Sequence, residues 1–287
     1  KVFINYDHVF SINQSSINKL IGKLNIGLMD RVLREIIKQN TLMHYQAYHK
    51  IKNTGKFIPG NSNIQYSGRL YDEEEIVNLI DSSLDFWLTA GRYANEFEKK
   101  FSEYLEIKNT LLVNSGSSAN LIAFSTLTAT SLKERRINKG DEVITVAAGF
   151  PTTINPIIQC GAIPVFVDVS LPTYNIDVTY LEEALSGKTK AVVLAHTLGN
   201  PFDLETVKTF CEKHNLWLIE DNCDALGSKY YINGEWKYTG TIGDIGTSSF
   251  YPPHHITMGE GGAVYMKSNR LKKIAESFRD WGRDCWC

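Results

Sequence analysis

An α/β fold, with a mostly parallel sheet lying between helices, is predicted by three features of the sequence. From Thr110 onward, short apolar runs alternate with segments of helical period. Those runs are continuously apolar, as strands covered on both faces require. Of the 287 residues, 43% are hydrophobic, enough to bury a sizeable core.

The bulk properties exclude several classes of function. A formal net charge of −2 offers no cationic surface for nucleic acid or an anionic membrane. No apolar run approaches the roughly 20 residues of a membrane helix. The start, Lys1-Val2-Phe3, lacks the order of a secretory signal. The expectation is a cytoplasmic protein with neither nucleic acid nor membrane as partner. Five cysteines are an odd set, and reduced thiols or metal ligands fit them better than a disulfide framework.

The elements follow in order. Residues 1–65 form a polar N-terminal extension, with an amphipathic helix over Leu28–Tyr48 and a Gly/Pro/Asn linker over Gly55–Asn63. Residues 66–287 form the main domain. Ile76, Leu79, Ile80 and Leu84 share one face of a helix, and Phe97, Phe101 and Tyr104 share a face of the next. Strands are predicted at Thr110–Asn114, Glu142–Val146, Pro164–Val169, Ala191–His196 and Leu216–Asp221. Helices over Ala119–Leu127, Leu181–Leu185 and Leu204–His214 separate them. Lys229–Thr241, with Asn233-Gly234 at its centre, reads as a hairpin. Strands at Gly246–Phe250 and Ala263–Lys267 then precede a helix near Leu271–Trp281. In such a sheet, functional residues gather at strand ends and in the loops that follow.

Three motifs carry chemistry. Asn114-Ser115-Gly116-Ser117-Ser118-Ala119-Asn120 joins a strand to a helix, and Gly116 lets backbone amides at the helix start approach an anion. A serine-rich helix cap without a ligand is the plainer reading of that motif alone. Ile219-Glu220-Asp221-Asn222-Cys223-Asp224 ends a strand with a carboxylate suited to a protonated pyridine nitrogen, or simply to capping the next turn. Phe150 follows a strand and suits stacking on a flat ring, though a core aromatic satisfies the same pattern.

Taken together and in this order, the motifs resemble the sugar aminotransferase family of fold-type-I pyridoxal phosphate enzymes. The resemblance implies that Gly116, Ser117 and Ser249 bind the phosphate, that Phe150 stacks on the ring, and that Asp221 holds the pyridine nitrogen. It also implies a seven-stranded, mostly parallel sheet and a smaller C-terminal domain largely missing from this chain. The loop Ser249–Val264 is similar to the family's lysine loop, but His254 stands where the cofactor-tethering lysine belongs. No lysine occurs between Lys237 and Lys267. An imidazole cannot form that covalent link, yet it moves protons near neutral pH. His255 is adjacent and competes for the role.

Within that family the chain resembles the iron–sulfur, pyridoxamine-phosphate-dependent 3-dehydrases acting on CDP-4-keto-6-deoxyglucose. The stretches that carry the likeness are Leu84–Thr89, Asn114–Asn120, Ala147–Asn155, His196–Leu204, Glu220–Gly227, Ser249–Val264 and Arg279–Cys287. The resemblance implies pyridoxamine 5'-phosphate (PMP) as cofactor, with His254 as the proton-transferring base. Asp224 and Tyr251 would select dehydration over amino transfer. Cys223, Cys285 and Cys287, with a fourth cysteine further on, would hold a [2Fe–2S] cluster fed by an NAD(P)H-dependent iron–sulfur flavoprotein reductase. The substrate would be a CDP-sugar, and the full-length protein a homodimer. Two other readings compete: a cluster-free enzyme similar to GDP-4-keto-6-deoxymannose 3-dehydratases, and a truncated remnant without activity. An ordinary aminotransferase needs a lysine that is not here.

Overall fold

The computed structural model describes residues 26–50, 57–64 and 71–283. These fall into two compact units, one of residues 26–50, 57–64 and 71–91, the other of residues 92–283.

In the first unit, helix α1 (Ile26–His44) continues into a π-helical turn, Tyr45–Lys50. Helix α2 (Glu73–Leu84) starts in a capping box: the Asp72 side chain accepts from the first turn while Glu75 reaches back to the Asp72 amide. The two helices are linked by charge. Arg34 contacts Asp81 at 3.3 Å and Asp85 at 3.0 Å, and Lys38 contacts Asp81 at 3.0 Å.

The second unit opens with helix α3 (Arg92–Tyr104). Strand β1 (Asn109–Val113) and helix α4 (Gly116–Thr126) follow. Next come β2 (Glu142–Val146), α5 (Pro151–Gln159), β3 (Ile163–Val167) and the short α6 (Leu181–Ala184). Then β4 (Thr189–Ala195), α7 (Leu204–Lys213) and β5 (Trp217–Asp221) complete the alternating core. The hairpin is β6 (Lys229–Ile232) and β7 (Glu235–Tyr238), and its turn residues Asn233 and Gly234 both take positive φ, as a tight two-residue turn demands. Strands β8 (Ile245–Ser249) and β9 (Gly262–Met266) lead to helix α8 (Asn269–Arg279).

Among the described residues, seven strands form one sheet in the order β1-β9-β8-β5-β4-β2-β3. Strands β3, β2, β4, β5 and β8 run parallel, and β9 is antiparallel to both of its neighbours. This is the mixed, mostly parallel sheet expected, with strand ends shifted by a residue or two.

Strand alternation builds a core on each face. Val193, Trp217 and Ile219 pack with Phe124 of α4, Ile157 of α5 and Leu271 of α8. Val192, Leu194 and Leu218 point the other way, onto Leu204, Val207 and Phe210 at α7. The parity continues to the end of β5: Asp221 shares the α4/α5 face with Ile219, and Glu220 the α7 face with Leu218.

Two elements differ from the sequence reading. Helix α5 has no counterpart in the sequence reading. Pro151 occupies the first turn, where no backbone donor is needed, and the short helix tolerates Pro156. The helix predicted over Leu28–Tyr48 ends its α-helical part at His44.

Candidate active site

The ends of β1, β5 and β8 bring the predicted residues into one region. At β1, Ser115 caps α4 by accepting from the Ser118 amide at 3.1 Å, and its carbonyl accepts from Ala119. The amides of Gly116 and Ser117 remain as first-turn donors with no intrahelical acceptor. Gly116 has to be glycine: a Cβ there would collide with Ser249 Cβ and stand 2.8 Å from Ser249 Oγ. Gly262, paired with Ser249 in the β8–β9 register, would likewise drive a Cβ into the Ser115 carbonyl. The α4 terminus and the Ser249 hydroxyl are thus held together as a cradle a side chain would fill. Its donors suit a phosphate.

Asp221, 5% exposed, ends β5 beneath this cradle. Its Oδ2 accepts from Asn120 Nδ2 at 2.8 Å and from Thr153 Oγ1 at 2.7 Å, while its Oδ1 accepts from the Cys223 amide at 3.2 Å. Phe150 precedes α5 with 70% of its surface exposed, and its carbonyl accepts from the Thr153 amide at 3.1 Å. A large exposed aromatic next to a carboxylate support fits a flat heteroaromatic ring better than a core position does.

The loop after β8 carries Tyr251 and His254. The His254 amide donates to the Tyr251 carbonyl at 3.1 Å, closing a turn. Its Nδ1 stands 3.3 Å from Asp224 Oδ1. Since a carboxylate only accepts, Nδ1 carries the hydrogen and Nε2 is left as the free basic nitrogen. The hydrogen bond to His254 holds the Asp224 carboxyl below its ordinary range, helped by the neighbouring imidazoles and a Leu198 amide against partial burial. Gly199 reinforces this placement, because a Cβ there would stand 2.7 Å from the Asp224 carbonyl. His255 and Tyr251 are exposed.

Cys223 is half-buried next to Asp221, and burial, then the charges of Asp221 and Asp224, push its thiol well up. Cys285 and Cys287 lie outside the described residues. Among the described residues, no group of three His, Cys, Asp or Glu is placed to hold a metal. Also among them, no helix is long and apolar enough to cross a membrane. Arg279, which opens the last matching stretch, ties α8 to α3 through Glu98 at 3.0 Å.

Sequence reasoning missed Thr153, Thr247 and the role of Asn120. Thr247 Oγ1 donates to Asn120 Oδ1 at 2.6 Å, behind Asp221. The available signal was spacing: Asn120 lies one helical turn beyond Gly116, on the same helix face. His196 and Glu220 were read as parts of motifs only. They form a buried pair at 3.0 Å, with His196 stacked on Phe202 and Glu220 also accepting from the Gly240 and Ile242 amides.

A family model described as the DegT/DnrJ/EryC1/StrS aminotransferase family matches residues 70–285. The chain belongs to that family. It is 58% identical over 255 residues to the lipopolysaccharide biosynthesis protein RfbH of Salmonella typhimurium, covering 89% of this chain and 57% of that protein. Identity to the dTDP-4-dehydro-2,6-dideoxy-D-glucose 3-dehydratase of Saccharopolyspora spinosa is 48% over 250 residues, or 87% of this chain and 53% of that one. Among solved structures, the Escherichia coli GDP-4-keto-6-deoxy-D-mannose-3-dehydratase with bound hydrated PLP superposes with a TM-score of 0.69 at 34% identity. That match covers 76% of this chain and 54% of the other. The chain therefore spans a little over half the length of these relatives. The fold is that of fold-type-I pyridoxal phosphate enzymes, and family membership supports PLP or PMP as the cofactor.

Proposed function

We propose that the chain acts in the PMP-dependent dehydration of a sugar nucleotide at C3, with CDP-4-keto-6-deoxyglucose as substrate, in 3,6-dideoxyhexose formation for lipopolysaccharide O-antigen. The observation that carries the proposal is His254 at the lysine position of an otherwise intact cofactor site, with Nδ1 on Asp224 and Nε2 free.

The cradle of Gly116, Ser117 and Ser249 would hold the phosphate, Phe150 would stack on the ring, and Asp221 would accept from the ring nitrogen. When bound, PMP supplies the amine that joins the C4 ketone and an electron sink for the reaction. His254 Nε2 would take and return the proton beside the bound cofactor, and so would let the C3 hydroxyl leave as water. Asp224 fixes the imidazole's orientation and tautomer. Tyr251, exposed beside the same loop, bears on whether the C3 oxygen or an amine is exchanged.

The proposal extends to a [2Fe–2S] cluster on Cys223, Cys285 and Cys287, supplied by an NAD(P)H-dependent iron–sulfur flavoprotein reductase, in a cytoplasmic homodimer. Of that donor set, Cys223 lies among the described residues, half-buried with its amide on Asp221. A second reading, use of a GDP-sugar without a cluster, is favoured by the likeness to GDP-4-keto-6-deoxy-D-mannose-3-dehydratase.

The test supplies PMP with CDP-, dTDP- and GDP-linked 4-keto-6-deoxysugars labelled with heavy oxygen at C3. Release of the label as water from the CDP-sugar is the expected result. Label release from the GDP-sugar alone would favour the second reading. Formation of an amino sugar with the label retained would overturn the dehydration.

A further inference from the structure

A buried polar chain lies behind Asp221. Thr247 Oγ1 on β8 donates to Asn120 Oδ1 at 2.6 Å, Asn120 Nδ2 on α4 to Asp221 Oδ2 at 2.8 Å, and Thr153 Oγ1 on α5 to the same Oδ2 at 2.7 Å. All three donors are buried: Asn120 is 5% exposed, Thr153 4% and Thr247 0%. We infer that Thr247, Asn120 and Thr153 are positioning residues that fill Oδ2 of Asp221 and so reserve Oδ1 for the ring nitrogen of the cofactor.

The direction of each bond is fixed by chemistry. Turning the Asn120 amide over would set its oxygen against the carboxylate, two acceptors facing each other. The amide nitrogen must therefore face Asp221, which leaves Thr247 as the donor to the amide oxygen. A carboxylate oxygen offers about two lone-pair sites. Oδ2 receives two side-chain donors and is saturated. Oδ1 receives the Cys223 amide at 3.2 Å, and the Cys223 thiol also hydrogen-bonds the carboxylate; a thiol is a weak donor, so a charged ring N–H can take its place. Four separate elements, α4, α5, β5 and β8, each bury a polar group to build this. Apolar residues of similar size would serve the core there without the cost of burying polar groups. A carboxylate that must meet a ring nitrogen in one orientation does need such a shell.

The inference rests on the proposed placement of the ring nitrogen at Asp221, and the test separates the two. PMP affinity is measured on the 287-residue chain by fluorescence titration, without sugar. The pH at which the bound ring nitrogen loses its proton is followed by absorbance. Thr153→Val and Asn120→Ala are each expected to weaken PMP by about tenfold, the scale of one lost hydrogen bond to a charged group, and to lower that pH midpoint. Thr153→Ser, which keeps the hydroxyl, restores both. Thr247→Val weakens PMP in the wild-type background and has no further effect beside Asn120→Ala, because it acts through that amide. Wild-type affinity and midpoint in Thr153→Val and Asn120→Ala, with only a lowered melting temperature, would reduce the chain to a fold-stabilising network and overturn the inference. Should Asp221→Ala itself leave PMP binding unchanged, the placement at Asp221 falls instead, and the inference with it.

Discussion

His254 and Asp224 form a pair whose division of labour follows from proton inventory. Asp224 accepts at Nδ1, so any proton the imidazole takes from a ligand arrives at Nε2. The lowered Asp224 carboxyl keeps that contact intact until the pH falls below its ordinary value of 3.8. Replacing His254 by Asn preserves a polar side chain of similar reach and removes the base. Release of the C3 oxygen is expected to fall by about 10²–10⁴-fold, the usual contribution of one general base, with PMP affinity unchanged. Single-turnover release of labelled water measures this, and undiminished release would move the base to another group such as His255. The histidine itself was legible in the sequence, since it replaces one residue within an intact loop. Its partner's geometry was not, because Asp224 lies thirty positions earlier and meets it only through the fold.

Two elements converge where α4 begins against β8, and their distance is set by residues without side chains. Gly116→Ala would push α4 from Ser249. A loss of about 1–3 kcal/mol is expected from overpacking of this kind, together with weaker binding of inorganic phosphate or PMP. Denaturant unfolding and ligand titration measure the two effects. On the opposite face of β5, Glu220 ties the loop preceding β8 to the sheet through the Gly240 and Ile242 amides and His196. Burial would raise its carboxyl, but the His196 hydrogen bond and charge, with the Gly243 and Gly240 amides, outweigh that and hold it below 4.5. The stability it lends is complete above pH 4.5 and is lost as pH falls through the lower folded value. Glu220→Gln is expected to cost about 3–5 kcal/mol at neutral pH, as when one partner of a buried pair is removed, and to flatten the fall in stability as pH drops below 4.5. Urea unfolding across that range would show the wild-type slope persisting if the carboxylate were not responsible. The strands themselves were readable because a parallel sheet leaves continuous apolar runs. Helix α5 carries two prolines that weaken its helical signal, and the Asn120–Asp221–Thr153 cluster was hidden by contacts that span 101 and 68 positions.

Stability at the scale of the whole molecule is unevenly shared between the two units. In the first, only Tyr45 and Asp81 are buried among the described residues, and α1 and α2 are linked by part-buried ion pairs, two of which use Asp81. Such pairs add little net stability, because the cost of desolvating the charges offsets their attraction. In the second, apolar side chains cover both faces of the central strands β2, β4 and β5. Those strands open only with the whole sheet, at a free energy on the order of 5–15 kcal/mol, whereas a helix pair with so small a core opens locally near zero. Hydrogen exchange followed by mass spectrometry is therefore expected to show amides of Val192–Leu194 and Leu218–Glu220 exchanging at least ~1,000-fold more slowly than those of α1 and α2. Added PMP should slow exchange further at the start of α4 and in the loop from Ser249 to His254, and leave α1 unchanged, since ligand free energy reaches only segments whose opening breaks the site. Equal protection of α1 and the central strands would mean that the first unit draws on burial beyond its own described residues.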